Sequence, residues 1–574
     1  MMQLIKENFE TEQTGHVGRL CASLFNIKTI VIAITALSCG LAVNLSYGAE
    51  RESLEQLRST TVSLVNLLVQ EGVLSKEKAD DLLRQASQDA AKAKEKDALA
   101  DESAGQAAGV EKAIDKKMVR VQYVPDIVKK ELKDDIKKEV MTQLNYKAGE
   151  RLGVPDWIDR MHWEGDLRLR YQHDGFASSN PNLTNFNAAN GTSVTNTTED
   201  QDRLRIRARL GVKAKVNDWL TAGIGLTTGS PNDPISPNQT QGANNAKYNF
   251  GLDRAYLKAE IKPWLNVVGG RFANPWLSTD LVWDPDLAFD GLAASFTPKI
   301  NDSWSSFLTL GAFPLDQTET NGQTQKAQSK WMYGSQVGIK WTSPNLSTAK
   351  LGLALYDFSN VEGMANIGTD ATAYNATVPS YRTKGNSYFD INNQCQTKDS
   401  SGNIVACPSK YGLSSKFREI NLTGQVDIAT FNPVHVMVTG DYVRNIGFDA
   451  NEIATRTGLP AIQTGGLGKQ VNGYQVKVAV GMPTTYKAND WQAFASYKYL
   501  EADAVMDAYT DSDFYLGGTN AKGWILGASY GIEKNTWLTA RWFSADEISP
   551  RTTVVNGIAP LAIDVLMLDL NAKF

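Results

Sequence analysis

The sequence lacks the long apolar segments of a helical membrane protein. Beyond residue 50 no apolar run reaches the ~20 residues that a transmembrane helix needs, and the mean hydropathy is -0.31. These two properties exclude a polytopic helical membrane protein. They leave a membrane β-barrel open, because barrel strands alternate apolar and polar residues and therefore read as polar on average.

Concentrated positive charge and histidine are also scarce. The 574 residues carry 58 lysines and arginines against 63 acidic residues, a net charge of -5, with 4 histidines. Phosphate binding needs clustered positive charge, so nucleic acid is excluded as the main partner. His162, His173 and His435 are far apart in sequence and form no HExxH motif, so we expect no metal site and no cofactor.

Only 4 cysteines are present, and two of them precede a predicted cleavage point. Residues 27–43 form the one sustained apolar stretch, and small residues follow it, which predicts a secretory signal peptide over residues 1–49. A retained membrane anchor, or a lipoprotein cut before Cys39, is the alternative. Cys395 and Cys407 then remain in a polar stretch, a pair that suits an oxidising compartment and a small disulfide-closed loop. The rival interpretation, a metal site, falls short of the four ligands that structural zinc needs.

Residues 50–150 have the pattern of a small helical segment followed by a linker and a last helix. Leucines recur at helical spacing between Leu54 and Leu68, and Ser75 can cap a second helix. The last helix begins at Pro125, a favoured first helical position. Its apolar residues form one narrow stripe: Val128, Leu132, Ile136, Val140 and Leu144. A stripe this narrow cannot make a core alone, so a coiled-coil-like self-association or a partner surface is implied.

Residues 151–574 change to a period of two. Between Asp202 and Val216 the sequence DRLRIRARLGVKAKV places apolar residues on one face and basic residues on the other. A helix would scatter these charges around its circumference. Similar alternation predicts sixteen strands, at about 163–172, 203–216, 219–228, 252–262, 264–272, 288–297, 303–313, 331–342, 348–358, 418–429, 433–444, 472–482, 490–500, 521–533, 536–546 and 561–574.

The connections between these segments alternate between short and long. A soluble sandwich has no reason to place all its long loops at one end, whereas an outer-membrane barrel does. Tryptophans accompany the short turns, as an interfacial aromatic girdle requires: Trp219, Trp264, Trp304, Trp341, Trp491 and Trp537. The last strand ends on Phe574, and a terminal aromatic residue on such a strand is the recognised assembly signal of outer-membrane barrels. The predicted fold is an all-β transmembrane barrel of about 16 antiparallel strands with a small N-terminal helical segment.

Three stretches resemble the porin family of Gram-negative outer membranes whose members carry a periplasmic helical segment before the barrel. They are LLVQEGVLSKEKADDLLRQA, VPDWIDRMHWEGDLRLRYQ at the start of the barrel, and GGRFANPW. The resemblance implies a homotrimer in outer-membrane lipid and lipopolysaccharide, inserted by the barrel-assembly machinery. It also implies a water-filled channel through which small hydrophilic solutes and ions diffuse passively.

Sixteen strands leave an aqueous channel, and several basic residues fall on its predicted wall: Arg168, Arg170, Arg203, Arg205, Arg207, Arg209, Arg254 and Lys258. In general porins the loop after the fifth strand folds inward, so the resemblance implies a constriction formed by Asp280, Asp284 and Asp286. Carboxylates facing guanidinium groups would create a strong transverse field. The simpler alternative is that the arginines pair with wall acids such as Asp166 and Glu260.

Two other functions compete with the channel. A tethering barrel would bind peptidoglycan or a periplasmic partner through residues 50–149, with the pore blocked by the long connection at about 359–417. A hydrolase would use Ser529, since residues 527–531 (GASYG) match a nucleophile-elbow pattern. That motif needs a strand, a sharp turn and a helix, whereas here another strand follows, so we do not expect an enzyme.

Overall fold

The computed structural model describes residues 158, 160–321, 325–369, 372–458, 468–550 and 559–574. The predicted signal peptide (1–49), with Cys21 and Cys39, and the whole of the predicted helical segment and linker (50–150) lie outside these residues. Within the described part, no helix combines the length and apolarity needed to cross a bilayer.

Sixteen long antiparallel strands form one closed sheet. The first eight are β1 (Met161–Phe176), β2 (Gln201–Lys215), β3 (Leu220–Thr228), β4 (Phe250–Lys262), β5 (Leu265–Ala273), β6 (Ala288–Phe296), β7 (Trp304–Asp316) and β8 (Lys330–Thr342). The second eight are β9 (Thr348–Ser359), β10 (Arg418–Ile428), β11 (His435–Asn445), β12 (Asn472–Gly481), β13 (Trp491–Leu500), β14 (Ala521–Glu533), β15 (Thr536–Glu547) and β16 (Ala562–Lys573). The predicted barrel and its strand number are confirmed.

The ring closes between the first and last strands. β1 pairs with β16 in the register Asp166↔Lys573 through Phe176↔Ile563. Beyond that ladder, the amide and carbonyl of Gly165 exchange hydrogen bonds with the backbone of Phe574, at 2.9 and 3.0 Å. Closure gives each of the sixteen described barrel strands a partner on both sides, which hydrocarbon requires because unpaired backbone groups cannot be solvated there.

The connections carry smaller elements. The described part includes two α-helices, α1 (Leu183–Asn190) and α2 (Ala450–Thr457), and two 3₁₀ turns, Asn375–Thr377 and Phe514–Leu516. Short strands lie at Gln239–Thr240, Ile367–Gly368, Tyr388–Asp390, Gln394–Lys398, Ile404–Ala406 and Tyr411–Leu413. All but the first of these short strands belong to the long connection between β9 and β10.

The two faces of the barrel differ as period-two alternation predicts. On β2 the outward side chain of Leu204 is 57% exposed, while the neighbouring Arg203 and Arg205 point inward and are partly buried. Outward apolar side chains on other strands are equally accessible, for example Leu257, Val337 and Val476. An exposed apolar band of this kind is stable only against lipid.

Candidate functional site in the barrel lumen

Three connections fold into the barrel, and we call them the inner loops. They are residues 274–287 between β5 and β6, residues 378–392 within the β9–β10 connection, and residues 501–520 between β13 and β14. Their apolar side chains pack against inward-facing residues of β7, β8, β9 and β11 in a single buried cluster. The lumen is therefore partly filled by the protein's own loops.

The 274–287 loop crosses the interior and is held by several strands. Gln336 on β8 exchanges two hydrogen bonds of 2.8 Å with the backbone of Leu277. The hydroxyl of Thr279 donates to Asp441 on β11 at 2.6 Å. Trp276 packs where β8 carries Gly334: a Cβ at this glycine would lie 2.5 Å from the indole ring, so only glycine admits the tryptophan.

An aromatic cluster fixes the middle of the same loop. Trp283 is 3% exposed and lies edge-on to Phe289 and Tyr356, with ring centroids 5.0 and 5.1 Å apart. Such edge-to-face contacts add to the free energy gained by burying apolar area.

The 501–520 loop is joined to the other two inner loops by buried polar contacts. The ammonium of Lys384 donates to the carbonyls of Tyr515, Leu516 and Gly517, at 2.6, 3.2 and 2.8 Å. Asp284 accepts hydrogen bonds from the amides of Asp286 and Ser512. Burial, together with the charges of Asp286 and Asp511, raises the pKa of Asp284 well above its usual range.

The arginine wall is the set of basic residues on β1 and β2 with the acids that neutralise them. Asp166 pairs with Arg207 and Arg209, at 2.8 and 2.7 Å. Asp286 from the 274–287 loop contacts the same two arginines, at 3.4 and 2.9 Å. The loop therefore meets this wall directly at one carboxylate.

Asp280 and Asp284 lie elsewhere. Asp280 accepts a 2.8 Å hydrogen bond from Gln475 and lies 3.5 Å from the ammonium of Lys498 on β13, and Asp284 contacts backbone amides of the inner loops. Of the three constriction-loop acids named from the resemblance, the structure brings only Asp286 to the arginines. On β4, Arg254 pairs with Asp253 at 3.5 Å and Lys258 pairs with Glu260 at 2.8 Å.

The segment Asp511–Ser512–Asp513 joins this network, which sequence reasoning missed. Asp511 lies 2.9 Å from Lys498. Asp513 lies 2.9 Å from Arg170 on β1 and 3.0 Å from Arg541 on β15. Burial alone would raise the pKa of Asp513, but the two arginines outweigh burial and hold the pKa well below its usual range.

Asp569 on β16 completes a clasp across the closure of the ring. It accepts two hydrogen bonds from Arg170, at 2.6 and 3.0 Å, and lies 3.3 Å from Arg541. For the contacts of Arg170, the only local signal is the charge of the acids, because Asp513 and Asp569 lie 343 and 399 residues away from Arg170 in the chain.

The residues considered for a disulfide, a metal site or hydrolysis lie on separate elements. Cys395 and Cys407 are joined by a sulfur–sulfur bond of 2.11 Å, with Cα atoms 5.5 Å apart. Ser529 lies within β14 and shares a 3.0 Å hydrogen bond with Thr539, whereas His435 lies on β11 and contacts Asp427 at 2.7 Å. In the described ranges no group of three or more histidine, cysteine or acidic residues could hold a metal ion.

Comparison with known proteins gives one family match and several similar structures. Residues 58–574 match the family described as "Putative porin", while no curated protein matches the chain. Similar solved structures include OprB of Pseudomonas putida, at 10% identity and a TM-score of 0.41, over 74% of this chain and 97% of that one. OmpF of Salmonella typhi, in complex with daunomycin, is similar at 11% identity and a TM-score of 0.36, over 72% and 97%. The channel DcaP of Acinetobacter baumannii is similar at 8% and 0.36, over 72% and 97%. Because the family match runs from residue 58 to the last residue, the chain belongs to the family described as "Putative porin" and is a channel protein of the Gram-negative outer membrane.

Proposed function

We propose that this channel conducts small hydrophilic solutes and ions passively, through a constriction formed between the 274–287 loop and the arginine wall. The contact of Asp286 with Arg207 and Arg209 is the observation that carries this proposal. An inward loop that ends on a charged wall narrows the lumen and places charged groups beside the passage. No covalent step and no cofactor is needed for such a function.

Two cavities support a route along this wall. The larger, of about 270 Å³, opens among Arg271, Asp290, Tyr381 and Tyr509 at the end of the barrel that carries the long loops. The smaller, of about 70 Å³, is lined by Arg271 and by Asp286. Arg271 borders both cavities and Asp286 contacts the arginine wall, so we place both cavities along the proposed route.

Side-chain exposure supports the same route. The side chains of Arg209 and Arg271 are both 29% exposed, and that of Lys213, nearer the short turns, is 43% exposed. Each of these cations is held beside an acid. Opposed charges in a narrow aqueous passage favour polar, hydrated solutes over apolar ones, because apolar solutes gain nothing from the local field.

The assembly is also part of the proposal. The barrel would lie in outer-membrane lipid and lipopolysaccharide as a homotrimer, with residues 1–49 removed on export, residues 50–150 in the periplasm and residues 151–574 forming the barrel. Phe574, on the outward face with Leu568 and Leu570, would serve as the signal to the barrel-assembly machinery. Self-association through the apolar stripe of the last predicted helix is compatible with three copies. Sedimentation of the full chain and of a chain lacking residues 50–149 would test whether three copies form and whether this segment is needed.

The deciding experiment is single-channel conductance of the full chain in a planar bilayer, with a salt gradient to obtain the reversal potential. We expect stepwise ohmic openings. Silence from folded protein, shown by heat-modifiable migration in SDS gels, would overturn the proposal. In that case a tethering role of residues 50–149 would become the better hypothesis, testable by loss of cell-wall association when they are deleted.

A further inference from the structure

The arginine wall contains a two-by-two block of arginines in which only one diagonal is neutralised. The β1–β2 register places Arg168 opposite Arg207 and Arg170 opposite Arg205. Arg170 pairs with Asp513 and Asp569, and Arg207 pairs with Asp166 and Asp286. Neither Arg168 nor Arg205 forms an ion pair with any described residue.

The two unpaired arginines, Arg168 and Arg205, contact neutral amide side chains instead. Arg168 is 8% exposed and donates from Nη2 to the amide oxygen of Asn238 at 2.6 Å. Arg205 donates from Nη1 to the amide oxygen of Gln172 at 3.1 Å. The Nε–H of each is buried and has no acceptor among the described residues. Both guanidinium groups therefore have hydrogen-bond donors to spare.

The nearby acids are already engaged. Asp174 binds Arg203, and Asp513 and Asp569 are shared by Arg170 and Arg541, so they act on the unpaired diagonal only at longer range. Within this network seven arginines face five aspartates, an excess of two positive charges. The arginines are 168, 170, 203, 205, 207, 209 and 541, and the aspartates are 166, 174, 286, 513 and 569.

Buried charges without counter-charges are unfavourable, and like charges on neighbouring strands add repulsion. A planar guanidinium presents its donors as a fork that matches the spacing of two oxygens of a carboxylate or phosphate. Two such forks lie here on adjacent strands, diagonally about 7–8 Å apart at their Cα atoms, which is within reach of long side chains. An oxyanion between them would supply the missing negative charge and accept the spare hydrogen bonds.

We propose that Arg168 and Arg205 form an oxyanion-binding site on the permeation path. The inference rests on the proposed channel function, since it names the class of solute that the arginine wall retains. The loop that carries Asn238 also supplies Ser236 and Pro237 to the smaller cavity beside Asp286, so a ligand reaches the site along the route already described. The ligand class is a small oxyanion, and phosphate, sulfate and carboxylates share the required geometry.

The test measures block of the chloride current through single channels of the full chain. Phosphate, sulfate, acetate and succinate are added separately at constant ionic strength. For the wild type we expect saturable block by at least one oxyanion. The anion that blocks at the lowest concentration identifies the class of oxyanion that the site prefers. In Arg168→Gln/Arg205→Gln the half-blocking concentration should rise about tenfold or more, because each lost charge-assisted hydrogen bond removes at least this factor.

The matched control is Lys416→Gln/Arg418→Gln, which removes two positive charges at exposed positions that have acidic partners and line neither cavity. Its block by oxyanions should stay within about twofold of the wild type, as paired surface charges contribute little. Arg168→Lys/Arg205→Lys keeps the charge but loses the fork. This variant should keep the sign of the reversal potential and still weaken the block.

The outcomes separate the two proposals. Channels that open but show equal oxyanion block in the wild type and both Arg168/Arg205 variants overturn the oxyanion site and leave the channel function intact. Failure of any channel to open overturns the channel proposal. The site is then tested by the thermal unfolding midpoint of the detergent-solubilised chain in phosphate against chloride. Stabilisation that the Gln variant loses supports the site, and equal midpoints overturn it.

Discussion

The two sides of the barrel interior carry different kinds of inward side chain on the same strand architecture. On β1 and β2 the inward positions hold six arginines, four of them paired with carboxylates, and several of these side chains are partly exposed. On β7, β8 and β9 the inward positions include Phe313, Met332 and Tyr356, each at most 1% exposed. These apolar residues are covered by the inner loops, whereas the arginine wall faces the route that solutes would take.

The difference shows that the polarity of an inward-facing side chain depends on what it contacts, water or a folded-in loop, and not only on its inward direction. An inward position that meets water must be polar, while one that meets a folded-in loop gains free energy from apolar contact. Polar inward side chains therefore mark the part of the lumen that stays open, and apolar ones mark the part that the loops fill. The following variants would break or sharpen this comparison, beginning with the largest expected effect.

Trp283→Ala should remove the main anchor between the inner loops and the apolar wall. Truncating a buried tryptophan costs about 3–5 kcal/mol of stability, and the loop would also lose its contacts with Phe289 and Tyr356. We expect larger and noisier single-channel conductance and a lower temperature of unfolding in SDS gels. Trp264→Ala is the control, because its side chain is 46% exposed at a short turn and does not touch the inner loops. Unchanged conductance in Trp283→Ala would show that this cluster does not set the width of the lumen.

Lys384→Met should loosen the contact between the 378–392 and 501–520 loops. The carbonyls of Tyr515, Leu516 and Gly517 would lose their donor, and each buried group left unpaired costs about 1–3 kcal/mol. We expect faster hydrogen exchange in both loops and no change in the strands. Lys398→Met removes an exposed lysine from the same long connection and should leave exchange unaltered. Equal protection in the two variants would contradict the proposed role of Lys384.

Asp284→Asn should remove a pH dependence from the loop contacts. Because the pKa of Asp284 is raised by burial, the docked loop retains a proton that the free loop would already have lost. Docking is therefore strongest at low pH and weakens as the pH rises from about 4 through the raised value. We expect current fluctuations of the wild type to grow with pH, and those of Asp284→Asn to change less. Fluctuations that fall as the pH rises would have the wrong sign for this explanation.

Replacing both Cys395 and Cys407 with serine should have the smallest effect on conduction. A small disulfide-closed loop contributes on the order of 3 kcal/mol of stability in the chain-entropy model. Its loss would destabilise only the hairpin of Gln394–Lys398 and Ile404–Ala406, where Ile404 is 69% exposed. We expect faster proteolysis within this hairpin at unchanged conductance. A change in conductance would place the hairpin in the permeation path.

The barrel could be predicted from the sequence because its alternation is imposed by two solvents, lipid outside and water or protein inside. The alternation predicts β2 at 203–216, and β2 lies at Gln201–Lys215. It predicts β1 at 163–172, whereas β1 extends over Met161–Phe176. Its last four residues, His173 to Phe176, lack a clear alternation of polar and apolar side chains, but their backbones still pair with the neighbouring strands.

The interior could be predicted only in part. The basic wall follows from the same alternation, and its role in lining a passage stays a prediction. The inward fold of the 501–520 loop is not predicted from the sequence. Asp511 and Asp513 have the composition of an acidic loop tip, and nothing in the adjacent sequence indicates that they pair with Lys498, Arg170 or Arg541. Short apolar runs, such as Leu281 to Trp283, are the local signal that these loops are buried, since a solvated loop gains nothing from them.

The clasp formed by Arg170, Asp513, Asp569 and Arg541 bears on the order in which the molecule assembles. Arg170 belongs to the first strand, and its partners come from the last loop-and-strand region, so the contacts of Arg170 cannot exist until the two ends of the sheet meet. Contacts between residues this far apart pay the largest loop-closure entropy and form late. The 501–520 loop therefore cannot complete its docking before the ring is sealed, and the passage takes its final shape in the same step that removes the last free strand edges.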